Sequence, residues 1–571
     1  MRAVPTRADA VLLRMESARH RRPGAPEAER ALAAARAFRP ASPEQLIRFH
    51  EALLFLRAYP HNERVRAGAE RLLGEIARHV RRLERAGEDL SPFDAPEVAG
   101  IAGTTIGTDY SFDAARFLVT RFARTGSVRL DWDAGVATDR MRATWPQFLP
   151  LLEEEALADA NVAYLEWLGA AAGPRRDDPA WLLERYARLP YPPDDRAERF
   201  DSLEVPISWD LGDSDASRTR MRLPGARFFF HDVPFLARRD VSLDAVLSSP
   251  PLALRRLSRR HGEKICDRMR EATAARYREF YTFTYADPAT VVAARPGRGV
   301  ELFLVGVEPG RRLPLRSAYG GFVVKNGVPI GYIEGLALAD RLEIGFNMYY
   351  TFREGESAWI YAQVLKLHKD ALGVTSFSID PYQLGFENDE ALDSGAFWFY
   401  RKLGFRPTSA GVRRLLAREE GRIRKNAAYR SSRRTLVRLV TGNLIYDAPG
   451  APRGAWDRFH VRRIGLAVNR RLRDSRASAS EFRERAETLV AKTLGIRRSS
   501  LSARERTAFA SLAPVLAQIP DLSRWKSEER RAASDVVRAK ASRDETRYLE
   551  LLSRHRRLRA ALIRLGSTRG R

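Results

Sequence analysis

A tyrosine set one helical turn before a glycine is the residue of this chain best placed to do chemistry. Residues 396 to 405 read Ala-Phe-Trp-Phe-Tyr-Arg-Lys-Leu-Gly-Phe. Gly404 ends a helix and Phe405 begins a strand, which leaves Tyr400 near the helix end. Upstream, Leu342 to Tyr350 reads as a strand and runs into Arg353-Glu354-Gly355-Glu356-Ser357-Ala358, a turn that opens a helix. A helix N-terminus gathers free backbone N–H groups, which suits a phosphate. Glu343 lies early on that strand and Glu334 on the strand before it. A carboxylate on a half-buried strand can have a raised pKa, as a proton acceptor needs. The competing reading is a glutamate on the solvent face, or one paired with an arginine such as Arg341.

The pattern A-x-x-x-Y-x-K-x-G-F resembles the closing signature of the GNAT superfamily of acyl-CoA-dependent N-acyltransferases. The resemblance implies direct transfer of an acyl group from acetyl-CoA, or another acyl-CoA, to an amine, without a covalent enzyme intermediate and without a metal. In such a site Tyr400 protonates the departing thiolate. Glu343 is the general base, with Glu334 as its rival. Backbone groups at Asn347, Met348 and Tyr349 hold the acyl carbonyl and the pantetheine arm, because the strand splays from its neighbour. The family's pyrophosphate turn is R/Q-x-x-G-x-G/A. Arg353 and Ala358 match its first and last places, with Glu354 and Ser357 between them. Glu356 stands where the middle glycine is expected and Gly355 lies one place early. A carboxylate beside a pyrophosphate is unfavourable unless it points away. The family often has an asparagine three residues before Ala396, where this chain has Asp393.

The elements around these residues are consistent with that reading. Val300 to Val307, Tyr319 to Lys325, Val328 to Leu338 and Arg341 to Thr351 read as strands. Asn326-Gly327 between the second and third is a strong hairpin signal. Ser357 to Leu372 reads as a helix closed by Gly373, Val374 to Asp380 as a buried strand, and Asp393 to Leu403 as a helix. The expected fold is α/β, a mixed β-β-β-β-α-β-α-β sheet over 295–410 with large helical flanks. An N-terminal helical region (1–172), an irregular and helical connection (173–294) and a basic helical C-terminal region (411–571) surround it. In the first region Phe112 to Phe122 and Trp145 to Leu168 read as helices. In the last, Gly411 to Val440, Gly454 to Arg476, Ser480 to Leu494, Ser502 to Ile519 and Lys526 to Leu565 do so.

With 571 residues, the chain is longer than the about 250 to 300 that one core usually serves. It is 44% hydrophobic and 30% charged, a globular rather than a disordered balance. Its single cysteine, Cys266, excludes an internal disulfide. No apolar run of membrane-spanning length occurs, and a cytoplasmic location is expected. The net charge of +26 is uneven: residues 411–571 hold 40 Lys and Arg against 16 Asp and Glu. That excess suggests a surface for nucleic acid or another polyanion. His231-Asp232 could form a dyad, but neighbours on a strand point to opposite faces. Beside the acyltransferase reading, with a small-molecule or protein amine as acceptor, stand two others. One is a catalytically inactive sheet of this kind that binds or scaffolds. The other is a nucleic-acid-binding protein acting through its basic helices.

Overall fold

Polar turns and short β-branched runs divide the chain between two sheets, and each sheet lies in its own compact unit. The computed structural model describes residues 7–19, 26–123, 127–132, 138–156, 162–225 and 227–567. Unit 1 takes residues 1–234, 264–284 and 325–329; unit 2 takes 235–263, 285–324 and 330–571.

Unit 1 begins with helices. In the Pro43–Ala58 helix, Ser42 Oγ accepts the Gln45 N–H and proline fills the first turn, so both start signals in the sequence act as expected. A three-stranded antiparallel sheet follows: β1 (Thr105–Thr108), β2 (Val128–Leu130) and β3 (Ile207–Asp210), in the order β1-β3-β2. Its core includes Trp145, Tyr186, Phe200, Leu168 and Trp209. The long helix expected over Trp145 to Leu168 is not continuous. A 3-10 turn at Trp145–Gln147, the Leu152–Ala156 helix and the Tyr164–Ala172 helix take its place. Leu151, after Pro150, has a left-handed φ of 69° that no α-helix contains. His231 is buried, with its N–H on the Pro60 carbonyl, while Asp232 is exposed. The two do not face one site.

Unit 2 holds a nine-stranded mixed sheet. Its strands are β4 (Leu254–Arg256), β5 (Val292–Gly297), β6 (Val300–Gly306), β7 (Ser317–Lys325), β8 (Val328–Leu338), β9 (Arg341–Met348), β10 (Ser376–Ile379), β11 (Arg406–Pro407) and β12 (Leu444–Asp447). Across the sheet the order is β4-β5-β6-β7-β8-β9-β10-β12-β11. Asn326 and Gly327, at φ 49° and 81°, make the turn between β7 and β8 with both central residues left-handed, which suits these two residue types. The Ser357–Leu372 helix ends where expected, at Gly373 with φ 72°. This helix covers the face of β9 that carries Phe346: the Tyr361 and Phe346 rings lie 5.1 Å apart.

Elsewhere the structure departs from the sequence reading. β4 and β5 extend one edge, and β12 enters the sheet between β10 and β11 from a stretch that reads as basic and helical. The helix expected from Asp393 is two, Asp389–Asp393 and Ala396–Lys402, separated by Gly395 at φ 72°. The helix expected over Lys526 to Leu565 is three: Ser527–Ala539, Thr546–Arg554 and Arg556–Ser567. Lys540 at the first break is buried, donates to the Arg316 carbonyl and accepts from Arg312 at its own carbonyl, so tertiary contacts set that break rather than glycine or proline. Among the described residues no helix is long and apolar enough to cross a membrane.

Candidate active site

Strands β9 and β10 run parallel but stay paired for only three residues: Arg341 with Ser376, Leu342 with Phe377 and Glu343 with Ser378. Beyond Glu343 the other edge of β9 still follows β8, as far as Met348 opposite Gly331. From Ile344 to Met348, β9 therefore has a strand on one side only. The Tyr349 N–H goes to the Ile330 carbonyl. Backbone groups of successive strand residues turn to opposite edges, so Asn347 shares Tyr349's edge toward β8. Phe346 and Met348 turn theirs to the open side. Of the three residues named from sequence, Met348 is the one whose backbone faces the gap. Its carbonyl accepts Arg353 Nε at 3.2 Å. The Asn347 side chain instead donates to the Tyr332 hydroxyl at 3.0 Å.

The turn after β9 brings Arg353, Glu354, Gly355, Glu356, Ser357 and Ala358 to the start of the Ser357–Leu372 helix. Glu356 is its N-cap residue, and its carboxylate does not cap the helix. It is fully buried, 2.5 Å from Arg298 Nη2, and its Oε1 also accepts the Leu236 N–H. The charge that is hostile to a phosphate is thus neutralised by Arg298. Arg353 Nη2 lies 2.6 Å from Glu390 Oε1, with both side chains partly in solvent. Such pairs are worth about 0 to 1 kcal/mol, so Arg353 can exchange Glu390 for a ligand oxygen at little cost. Asp393 points elsewhere, to Arg433.

Tyr400 belongs to a cluster of rings. Its ring centroid is 5.5 Å from Tyr361, 5.2 Å from Phe399 and 5.7 Å from Phe405. Tyr361 connects it to Phe346 on β9. Burial pushes the Tyr400 phenol up, so it stays protonated and can only give a proton, not take one. The Tyr361 hydroxyl is buried without a hydrogen-bond partner among the described residues. Tyr361 was not singled out in the sequence, where it reads as one of several apolar positions on a helix.

The pleat puts Glu343, Gly345 and Asn347 on the other face of β9, away from Tyr361. Glu334 pairs in register with Gly345 and so shares that face. Glu343 is not the raised-pKa base that its strand position suggests. Burial acts to raise it, but Arg341 at 3.0 Å and Arg316 at 3.2 Å outweigh burial and hold it below the ordinary value of 4.5. It is the ion-paired reading, Arg341 included, that describes this residue. No family model, curated protein or solved structure matches the chain.

Glu343 forms part of the wall of a cleft of about 1560 Å3, together with Arg316 and Asp380. The rest of the lining comes from segments far apart in sequence, among them 381–387, 408–413, 441–443 and 457–466. Asp380 caps the short Pro381–Leu384 helix through the Tyr382 N–H. Gln383 of that helix lies against Gly345, where a β-carbon would come within 3.3 Å of its amide nitrogen. Asp380 carries a readable signal, an Asp-Pro step after a buried strand; Gln383 carries none.

Proposed function

We propose that unit 2 is an acyl-CoA-dependent N-acyltransferase of the GNAT kind, most simply an N-acetyltransferase. The observation that carries this reading is the early end of pairing between β9 and β10, which leaves the Phe346 and Met348 backbone facing a gap in an otherwise continuous sheet. A pantetheine arm is an extended chain bearing amides, and an open strand edge is the partner such a chain needs. The helix start at Ser357, with Glu356 turned to Arg298, supplies N–H groups for the pyrophosphate, and Arg353 stands beside it.

In the reaction the amine nitrogen attacks the thioester carbonyl carbon, the C–N bond forms as the C–S bond breaks, and sulfur gains a proton from Tyr400. The ammonium group must lose two protons on the way to the amide, one before attack and one after it, and the second restores the Tyr400 phenol. Glu343, held ionised by Arg341 and Arg316, suits the task of placing an ammonium group and drawing its charge; proton removal through water to bulk or to Glu334 then completes the balance. Titration calorimetry of the full chain with acetyl-CoA tests the reading, paired with hydrogen exchange over residues 353–360. Saturable binding that protects this turn is the expected result. If heat and protection are both absent, the inactive-scaffold reading replaces it.

A further inference from the structure

We infer that the cleft beside Glu343 receives the phosphate group of the acceptor, which makes the acceptor a phosphate-bearing amine; this rests on the acyltransferase reading. Two helices begin at the cleft wall, Ala410–Lys425 and Val461–Ser475. Neither has a side-chain cap: Ser409 and His460 occupy the N-cap positions without a hydrogen bond into the first turn. Their free N–H groups and the positive ends of both dipoles meet at one cavity. Arginines stand around the same ends. Arg413 and Arg463 spend their guanidinium N–H groups on backbone carbonyls, such as Thr408 and Ser567, rather than on carboxylates. Arg458 and Arg462 are exposed at the wall and form no ion pair among the described residues.

Of the wall's four carboxylates three are already committed, and Glu387 is exposed without an ion pair among the described residues. Asp457 is committed to Arg406, and Glu343 to Arg316 and Arg341. Asp380 caps a helix. The cleft thus offers a cationic end built from two helix starts and arginines, and an anionic end at Asp380 and Glu387. A molecule joining a phosphate to a protonated amine matches both ends, and the phosphate end fixes which amine arrives at the gap. At about 1560 Å3 the cleft exceeds the roughly 300 to 1000 Å3 of most small-ligand sites, so it has room for more than a bare amine.

The test uses the full chain and inorganic pyrophosphate as the probe, measured by calorimetry at low salt. Arg458→Ala with Arg462→Ala should weaken pyrophosphate by about tenfold or more, the usual scale for lost charge-assisted contacts. Arg471→Ala removes one exposed charge from the same helix away from the cleft, and should change affinity less than twofold. Acetyl-CoA affinity should be the same in the double variant and the parent. In acetyl transfer, O-phosphoethanolamine should exceed ethanolamine in kcat/KM by about tenfold, and the double variant should erase that preference. The inference falls if pyrophosphate does not bind, if Arg471→Ala weakens it as much, or if acetyl-CoA affinity drops with the double variant. That last result would assign the cleft to coenzyme A itself. If neither amine is acetylated while pyrophosphate binds as described, the acyltransferase reading fails and the phosphate site stands.

Discussion

Glu356 and Arg298 form a buried ion pair, 2.5 Å apart, directly ahead of the helix that starts at Ser357. The glutamate has no exposure at all, and the arginine side chain has 18%. Removing one partner strands the other charge in a low-dielectric setting. Arg298→Ala should therefore lower unfolding free energy by about 3 kcal/mol or more in urea titration. It should also weaken acetyl-CoA, because the released carboxylate then stands next to the pyrophosphate. Glu356→Gln should keep the Leu236 contact, lose less stability, and leave acetyl-CoA affinity equal or higher. Calorimetry on the two variants separates the electrostatic effect from the loss of packing.

The Tyr400 and Tyr361 rings meet edge to face, and the proposed reaction gives a task to the Tyr400 hydroxyl alone. Tyr400→Phe should reduce turnover by about a hundredfold with stability within about 1 kcal/mol of the parent. Tyr361→Phe removes a buried hydroxyl that has no partner among the described residues, so it should leave turnover near the parent and raise stability by about 1 kcal/mol. Equal loss of turnover in both variants would point to ring packing and remove the proton-donor role.

Glu343 gives a prediction with a sign. Its folded pKa lies below its ordinary value, so its contribution to stability is fully present above about pH 4.5 and is lost as pH falls through the folded value. Glu343→Gln should accordingly destabilise the chain at pH 7, by about 3 kcal/mol because Arg341 is buried, and much less at pH 3. The pH–rate profile of the parent should show no limb from this residue between pH 5 and 8. An acid limb near pH 6 that vanishes in Glu343→Gln would restore it as a general base with a raised pKa.

His368 is also shifted down, but here the fold keeps the neutral form. Burial lowers it from 6.5 to about 4, and its Nδ1 lies 2.8 Å from the Val364 carbonyl. The folded state holds it neutral while the unfolded chain takes a proton below pH 6.5. Stability should therefore decline as pH drops from 6.5 to about 4, by up to about 1.4 kcal/mol per pH unit for this group. Denaturation midpoints of the parent and His368→Gln should converge toward pH 4.

Much of the sheet is legible in the sequence. The Asn326-Gly327 turn, β8 over Val328–Leu338 and the Ser357–Leu372 helix follow from local chemistry: left-handed turn residues, a strand that pairs back from that turn and a terminal glycine. β12 was hidden because Leu-Ile-Tyr-Asp is too short to show a period and sits among basic helices. The gap beside Met348 follows from where β10 stops, which no local pattern encodes. Glu343 illustrates the limit of strand position as a guide to pKa, since Arg316, 27 residues earlier in the chain, helps decide its charge. The cleft draws its wall from segments spread over more than two hundred residues, and its local signs are the Asp380-Pro381 step and the arginine excess after residue 410.

The place of β12 bears on how this molecule is made. A ribosome releases β10 and β11 before the strand that must lie between them, and 64 residues separate the end of β10 from the start of β12 by number. During that interval the nascent chain carries two bare strand edges awaiting one partner. Any fragment cut at residue 410 keeps those edges for good, and self-association through them is its natural fate.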